Sequence, residues 1–200
     1  MGKKELALVH PDARVDARAK IGRSSKVWAF AMVREGVRIG NDCMIGSAAY
    51  IDTGVRVGNR VNIHNRAMLY RKLIIEDDVF IGPAVCVTND PHPRSNRIRD
   101  LQGKTGRIKK GASIGAMTCI LPDLTIGKYS LIGAGSIVTR NVPDYALMVG
   151  APARLRGFVS PRGKKLKKLK SLAKKSIYGE PGTKFRISVP HTLEREIDEN

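Results

Sequence analysis

The 200-residue chain has no apolar run approaching the roughly 18 residues that a membrane-spanning helix needs. It also lacks the apolar core of a secretory leader: Met1-Gly2-Lys3-Lys4-Glu5 runs only into Leu6 to Val9 before His10-Pro11-Asp12, so a cytoplasmic protein is expected. Cysteine is scarce, and the widely spaced Cys43, Cys86 and Cys119 fit neither a disulfide framework nor a CxxC metal pattern; reduced, buried thiols are expected. Histidine is limited to His10, His64, His92 and His191 with no paired spacing, so no three-histidine zinc centre and no metal cofactor is expected. Aromatics are few at 5%, and past residue 157 only Tyr178 and Phe185 follow Phe158. That paucity of stacking side chains speaks against nucleic acid as a partner, despite a net charge of +18. Acidic residues are outnumbered 36 to 18, but the excess is spread along the chain. The one basic run, Arg162 to Lys175, carries Leu166, Leu169 and Leu172 at a spacing of three and predicts a short helix.

What the chain has instead is repetition. Stepping by six from Val9 gives an aliphatic residue fourteen times in succession to Val87, and the step resumes at Ile108 for six more, ending at Val138. Four residues after each aliphatic stands an uncharged, mostly small residue, such as Ser25, Ala31, Cys43, Ala49, Ala67, Ala112 and Ser136. Glycine follows the aliphatic directly eight times, as at Gly22, Gly40, Gly58 and Gly115, which is expected where a chain turns with unusual dihedrals. Six residues advance an α-helix by 600°, so this period leaves a helical face at once. Short strands joined by regular turns satisfy it, and the expected fold is an all-β parallel solenoid of triangular coils, 18 residues each. The predicted boundaries are residues 1–157 for the solenoid, with an inserted loop at 88–107, and 158–200 for a basic C-terminal helix and tail.

The hexads resemble the left-handed parallel β-helix acyltransferases, from which the left-handed coil, a homotrimer and acetyl-CoA as acyl donor are implied. Four segments narrow the resemblance: Val27-Trp28-Ala29-Phe30-Ala31-Met32-Val33-Arg34-Glu35-Gly36, the stretch from Ile75 to Pro83, Thr88-Asn89-Asp90-Pro91-His92-Pro93-Arg94, and the stretch from Val142 to Arg154. Together they are similar to nucleotide-sugar 3-amino N-acetyltransferases of surface-polysaccharide synthesis. That similarity implies acetyl transfer to the 3-amino group of a UDP- or dTDP-linked amino sugar, at sites shared between neighbouring subunits. In such enzymes histidines commonly stand where this chain has Ala29 and Met32, and a glutamine where it has His64, all near the sugar.

The loop between Val87 and Ile108 breaks the register, and polar loops on a rigid scaffold concentrate function, so the active site is expected there. Acetyl transfer to an amine needs an orienting acceptor, donors for a developing oxyanion and a route for one proton. Asn89, Asp90 and His92 offer that inventory. The resemblance implies that Asn89 orients the amine through its amide oxygen while Asp90 fixes the loop or the amine. His92 could serve as a general base or only contact ligand, because a departing CoA thiolate can also take the proton. Arg34, Glu35, His64, Asn65 and Arg94 are the expected substrate-binding set. Backbone amides around Gly115, Ala116 and Ala134, with Arg140 and Arg154 for phosphates, are the expected CoA set. Two alternatives stay open: an O-acetyltransferase of the same fold using His92 as base, and a non-catalytic scaffold with a basic binding tail.

Overall fold

The computed structural model describes residues 5–96, 105–172, 175–180, 183–188 and 192–195. The hexads become strands of two residues, one pointing out and one in: Lys26 is exposed while Val27 is buried, and Arg38 is exposed while Ile39 is buried. Each strand pairs in parallel with the strand one coil later, so that Val27 lies against Ile45 and Ile45 against Ile63. Three flat faces result. The first runs from Leu8–Val9 to Ala146–Val149, the second from Arg14–Val15 to Ile137–Val138, and the third from Lys20–Ile21 to Thr125–Ile126.

The inward aliphatics form one column per face. Ile45, Ile51, Ile63, Leu69, Ile81, Ile114, Ile126 and Ile132 are completely buried, as are the small residues between them such as Ala31, Ala67 and Ala112. At about 1.5–3 kcal/mol for each fully buried large aliphatic, these columns are the main stabilising element. The first coil has nothing beneath it, which leaves Val9 41% exposed although its hexad position is that of the core.

The corners are built differently from the sequence expectation. From Ile21 to Ile81 the residue with a left-handed backbone is the third after the core aliphatic, as at Ser24, Phe30, Gly36, Asp42, Ala48, Gly54, Arg60 and Arg66. The glycines directly after the aliphatics are not among the positive-φ residues. They are required by close approach instead: a Cβ at Gly82 would lie 2.8 Å from Ala116 N, and one at Gly115 would lie 2.5 Å from Ala134 N. The glycine therefore serves coil stacking, and the turn falls two residues later.

Between the third and first faces, side chains tie coil to coil. Asn41 Oδ1 accepts the Arg23 N–H at 2.9 Å, Asn59 Oδ1 accepts the Asn41 N–H at 2.9 Å, and Asp77 Oδ1 accepts the Asn59 N–H at 2.8 Å. The expectation that all three thiols are buried is corrected: Cys43 is buried, with its pKa raised by burial, whereas Cys86 and Cys119 are half-exposed neighbours on the outside of the second face.

The first face ends in an antiparallel strand, Arg154–Phe158, laid against Ala146–Val149, with Val159 and Leu166 buried beyond it. The expected C-terminal helix is not found among the described residues. Lys167–Leu172 is a strand, paired antiparallel with Lys175–Glu180, which pairs in turn with Thr183–Ser188 and then Thr192–Arg195. Three leucines at a spacing of three are too short a signal to fix a helix, and the following sequence supplies β-favouring partners in Ile177, Tyr178, Phe185 and Ile187.

Candidate active site

The inserted loop leaves the solenoid at the corner between the second and third faces. Val87 pairs with Ile120 and Ile108 with Ile75, so the excursion does not disturb the register on either side. At its base lies a pocket of about 160 Å³, whose rim includes Tyr70, Arg71, Thr88, Asn89, Asp90 and Leu121. Asn89 Nδ2 is buried there without a hydrogen-bond partner among the described residues. A buried amide left unsatisfied costs about 1–3 kcal/mol, which marks this position as one that a ligand group would complete. Asp90 Oδ1 accepts the His92 N–H at 2.9 Å and shapes the turn, while the His92 side chain is exposed. Arg94 is exposed and donates to the Pro93 carbonyl at 2.8 Å.

Sequence reasoning missed the layer under this loop. Asp52, 5% exposed, accepts from Thr53 N at 2.8 Å, from Arg71 N and Nε at 3.2 Å each, and from Tyr50 OH at 3.1 Å. Burial pushes its pKa up, but these hydrogen bonds more than offset that and hold it below the usual carboxylate value. Asp52 thereby fixes Arg71, one coil below Asn89. The available signal was a carboxylate directly after a core aliphatic with an arginine 19 residues on.

The remaining expected residues fall into two groups. Arg34 and Glu35 stand at the same corner as Asn89, three coils lower, joined at 3.3 Å; Glu35 also accepts from Thr53 Oγ1 at 2.8 Å. Hydrogen bonds from its own backbone and from Thr53 lower the Glu35 pKa. Arg140 is exposed at this corner, two coils above Asn89.

His64, Asn65, Gly115, Ala116 and Ala134 stand at the other corner, between the first and second faces, so one chain does not bring the two groups together. His64 packs on Phe80 with ring centroids 4.8 Å apart, and Asn65 Oδ1 accepts the Ser47 N–H at 3.0 Å. The N–H groups of Ala116 and Ala134 meet no acceptor among the described residues, because the corner residues of the coils above carry no amide or carboxylate to reach back. Two such free donors on an open corner suit the amide-rich arm of a CoA thioester. Arg154, exposed on the closing strand, donates to the Ala153 carbonyl at 3.2 Å. Among the described residues no three His, Cys, Asp or Glu side chains converge as a metal site, and no helix is long and apolar enough to cross a membrane.

The second face joins these corners. Above the exposed Arg14 at its base, its outward column is Met32, Tyr50, Met68, Cys86, Cys119 and Ile137, an uncharged stripe in continuous register.

The bacterial transferase hexapeptide (six repeats) family matches residues 18–53. Over 60 residues, 30% of this chain and 31% of the relative, the sequence is 55% identical to the dTDP-3-amino-3,6-dideoxy-alpha-D-galactopyranose 3-N-acetyltransferase of Aneurinibacillus thermoaerophilus. Over 108 residues, 48% of this chain and 52% of the relative, it is 31% identical to the galactoside O-acetyltransferase of Lactococcus lactis subsp. lactis (strain IL1403). These matches span between a third and about half of the curated relatives' length. The acetyltransferase domain of PglB from Neisseria gonorrhoeae FA1090, solved in complex with acetyl coenzyme A, aligns with a TM-score of 0.54 at 24% identity, over 77% of this chain and 59% of that one, a likeness of fold. With its repeat matched at 18–53 and carried on around three parallel faces, the chain has the left-handed β-helix fold and is similar over that segment to the hexapeptide-repeat transferases.

Proposed function

We propose that this protein is an acetyl-CoA-dependent N-acetyltransferase acting on the 3-amino group of a UDP- or dTDP-linked amino sugar, working as a cytoplasmic homotrimer in surface-polysaccharide synthesis. Residues 1–157 form the transfer unit and residues 158–200 a basic appendage. The observation that carries the reading is the buried Asn89 amide, without a partner among the described residues at the base of the 88–107 loop that interrupts the β-helix. The local 55% identity to a 3-N-acetyltransferase supports the choice of acceptor.

The positions of the pieces support the trimer. The pocket of about 160 Å³ is smaller than the roughly 300–1000 Å³ of a small-molecule site, which favours a second surface completing it. Burying the uncharged stripe from Met32 to Ile137 against neighbouring copies brings the Asn89 corner of one subunit beside the His64 and Ala116 corner of the next. A trimer axis parallel to the solenoid keeps coil levels matched.

The CoA thioester supplies an acyl carbon with a thiolate leaving group. Asn89, Asp90 and the free N–H groups of Ala116 and Ala134 orient the reactants; Arg140 and Arg154 take CoA phosphates, and Arg94 meets the sugar or its phosphate. The amine forms the C–N bond as the C–S bond breaks, and its proton leaves with the thiolate. A second reading, O-acetyl transfer with His92 as general base, is favoured by the 31% identity to a galactoside O-acetyltransferase.

The test is thiol release from acetyl-CoA against a panel of UDP- and dTDP-linked 3-amino and 4-amino sugars, with galactosides and simple amines as controls. Turnover confined to a 3-amino nucleotide sugar is expected. Turnover on galactosides selects the second reading, and absence of acetyl-CoA binding leaves a scaffold.

A further inference from the structure

The corner between the first and second faces carries two aromatic residues that the site described above does not use. Phe30 is 71% exposed and has a left-handed backbone, φ 61°, at a turn position held at other corners by small or polar residues such as Ser24, Asp42, Ala48 and Gly54 and by large ones at Met117, Tyr129 and Tyr145. A bulky ring there bears backbone strain and exposed apolar surface together, and with Trp28 beside it forms an aromatic pair open to contact from outside the coil. Trp28, two residues earlier, is 40% exposed on the same corner.

The corner residues above them are stacked in order. Phe30 N–H donates to the Asp12 carbonyl at 3.1 Å, Ala48 N–H to the Ala29 carbonyl at 3.1 Å, and Arg66 N–H to the Ser47 carbonyl at 3.0 Å. Reading upward, the second coil offers an aromatic pair, and the third offers only the small residues Gly46-Ser47-Ala48. The fourth offers His64 and an exposed Arg66 that forms no ion pair with a described residue. The fifth is the level at which Asn89 stands at the opposite corner.

We infer that this corner binds the nucleotide half of the substrate, with Trp28 and Phe30 stacking the base and Arg66 taking the pyrophosphate; the inference rests on the nucleotide-sugar reading above. Aromatic, small, cationic and then Asn89 is the order of base, ribose, pyrophosphate and amino sugar. Three coil steps of about 4.8 Å, or about 14 Å, are the span over which ribose and pyrophosphate separate a base from its sugar. The small middle coil leaves the ribose its room, and the guanidinium suits a pyrophosphate's paired oxygens. Base stacking tolerates uracil or thymine alike, because every base presents a π-face.

Trp28 is the single tryptophan of the chain, so its fluorescence reports on this corner directly. Titrating the full chain with UDP and dTDP should quench that fluorescence saturably, while inorganic pyrophosphate binds more weakly without quenching. Phe30→Ser places at the turn a residue that already folds there as Ser24. It should weaken UDP roughly tenfold or more and leave acetyl-CoA affinity and assembly mass unchanged. Arg66→Gln should weaken UDP and pyrophosphate while sparing uridine. Unaltered UDP affinity in Phe30→Ser, or dissociation of its assembly, overturns the inference, the latter making Phe30 an inter-subunit contact. If the wild type acetylates a 3-amino nucleotide sugar yet UDP does not perturb Trp28, the inference alone fails. If it neither binds acetyl-CoA nor acetylates any amino sugar, the functional reading has failed and takes the inference with it.

Discussion

A Cβ at Gly40 would lie 2.7 Å from Asn59 Oδ1, the same atom that accepts the Asn41 N–H at 2.9 Å. The glycine and the asparagine one coil above are thus one device, in which removing a side chain below makes room for the amide that ties the coils. Gly40→Ala should destabilise by about 2–3 kcal/mol through displaced backbone. Gly54→Ala, at φ +71° with nothing within 4 Å, should cost only the left-handed strain of about 1–2 kcal/mol. Denaturant midpoints of the two variants should therefore rank Gly40→Ala below Gly54→Ala. The reverse order would reinstate conformational freedom as the reason for these glycines.

The Asp52 carboxylate gives the fold an acid limit. Its folded pKa lies below the ordinary 3.8, so its contribution is complete above that value and is lost as pH falls through the lower folded one. Stability should be level in this respect from neutrality to about pH 4 and decline below it. Asp52→Asn should flatten the decline and cost about 1–2 kcal/mol at neutral pH, since Arg71, 36% exposed, keeps access to water. Chemical denaturation of both proteins across pH 3 to 7 would show it.

Asn89→Ala should reduce acetyl transfer by about 100-fold, the scale of losing one oriented transition-state contact. Its melting temperature should hold or rise, because an unsatisfied buried amide disappears. A large loss of melting temperature with proportionate loss of activity would make Asn89 a structural residue.

His92 divides the two transfer chemistries. With the thiolate as proton acceptor, His92→Ala should retain turnover within tenfold of the wild type and keep its pH profile. A general base would show a fall of 10²–10⁴ and loss of the acidic limb, which kcat measured from pH 5 to 9 would reveal.

Placing a charge in the middle of the second face should disrupt assembly. Met68, 38% exposed and flanked in register by Tyr50 and Cys86, is the position of choice. Met68→Asp should shift sedimentation from trimer to monomer and abolish turnover, while the solenoid still folds because the side chain points outward. Trimer retained in Met68→Asp would move the interface to another face.

The faces of this molecule were legible in the sequence because the period of six survives independently of any local propensity, and a buried column tolerates almost nothing but aliphatics. Glycine misled at the corners: its presence signals either a rare dihedral or a close approach, and only coil-on-coil stacking shows that Gly22, Gly82 and Gly115 belong to the second kind. The tail was misread because Leu166, Leu169 and Leu172 carry too little periodicity to compete with the antiparallel partners that follow. At the site, the loop residues Asn89 and Asp90 could be found from the broken register. The Asp52, Arg71 and Tyr50 layer beneath them could not, since its members meet only once 18-residue coils are stacked.

The return of the chain at Ile108 to its place above Ile75 has a further meaning. An excursion that starts and ends at adjoining positions of a rigid corner is a closed detour, and lengthening such a detour twofold costs only about 0.6 kcal/mol of closure entropy. The corner therefore acts as a socket: the scaffold holds the two ends of the excursion, through Thr88 on Ile120 and Gly106 and Arg107 in register with Leu73 and Ile74, and leaves its length free. The stretch between Arg94 and Gly106 could therefore change in length while Asn89, Asp90 and the coil residues that face the substrate stay in place.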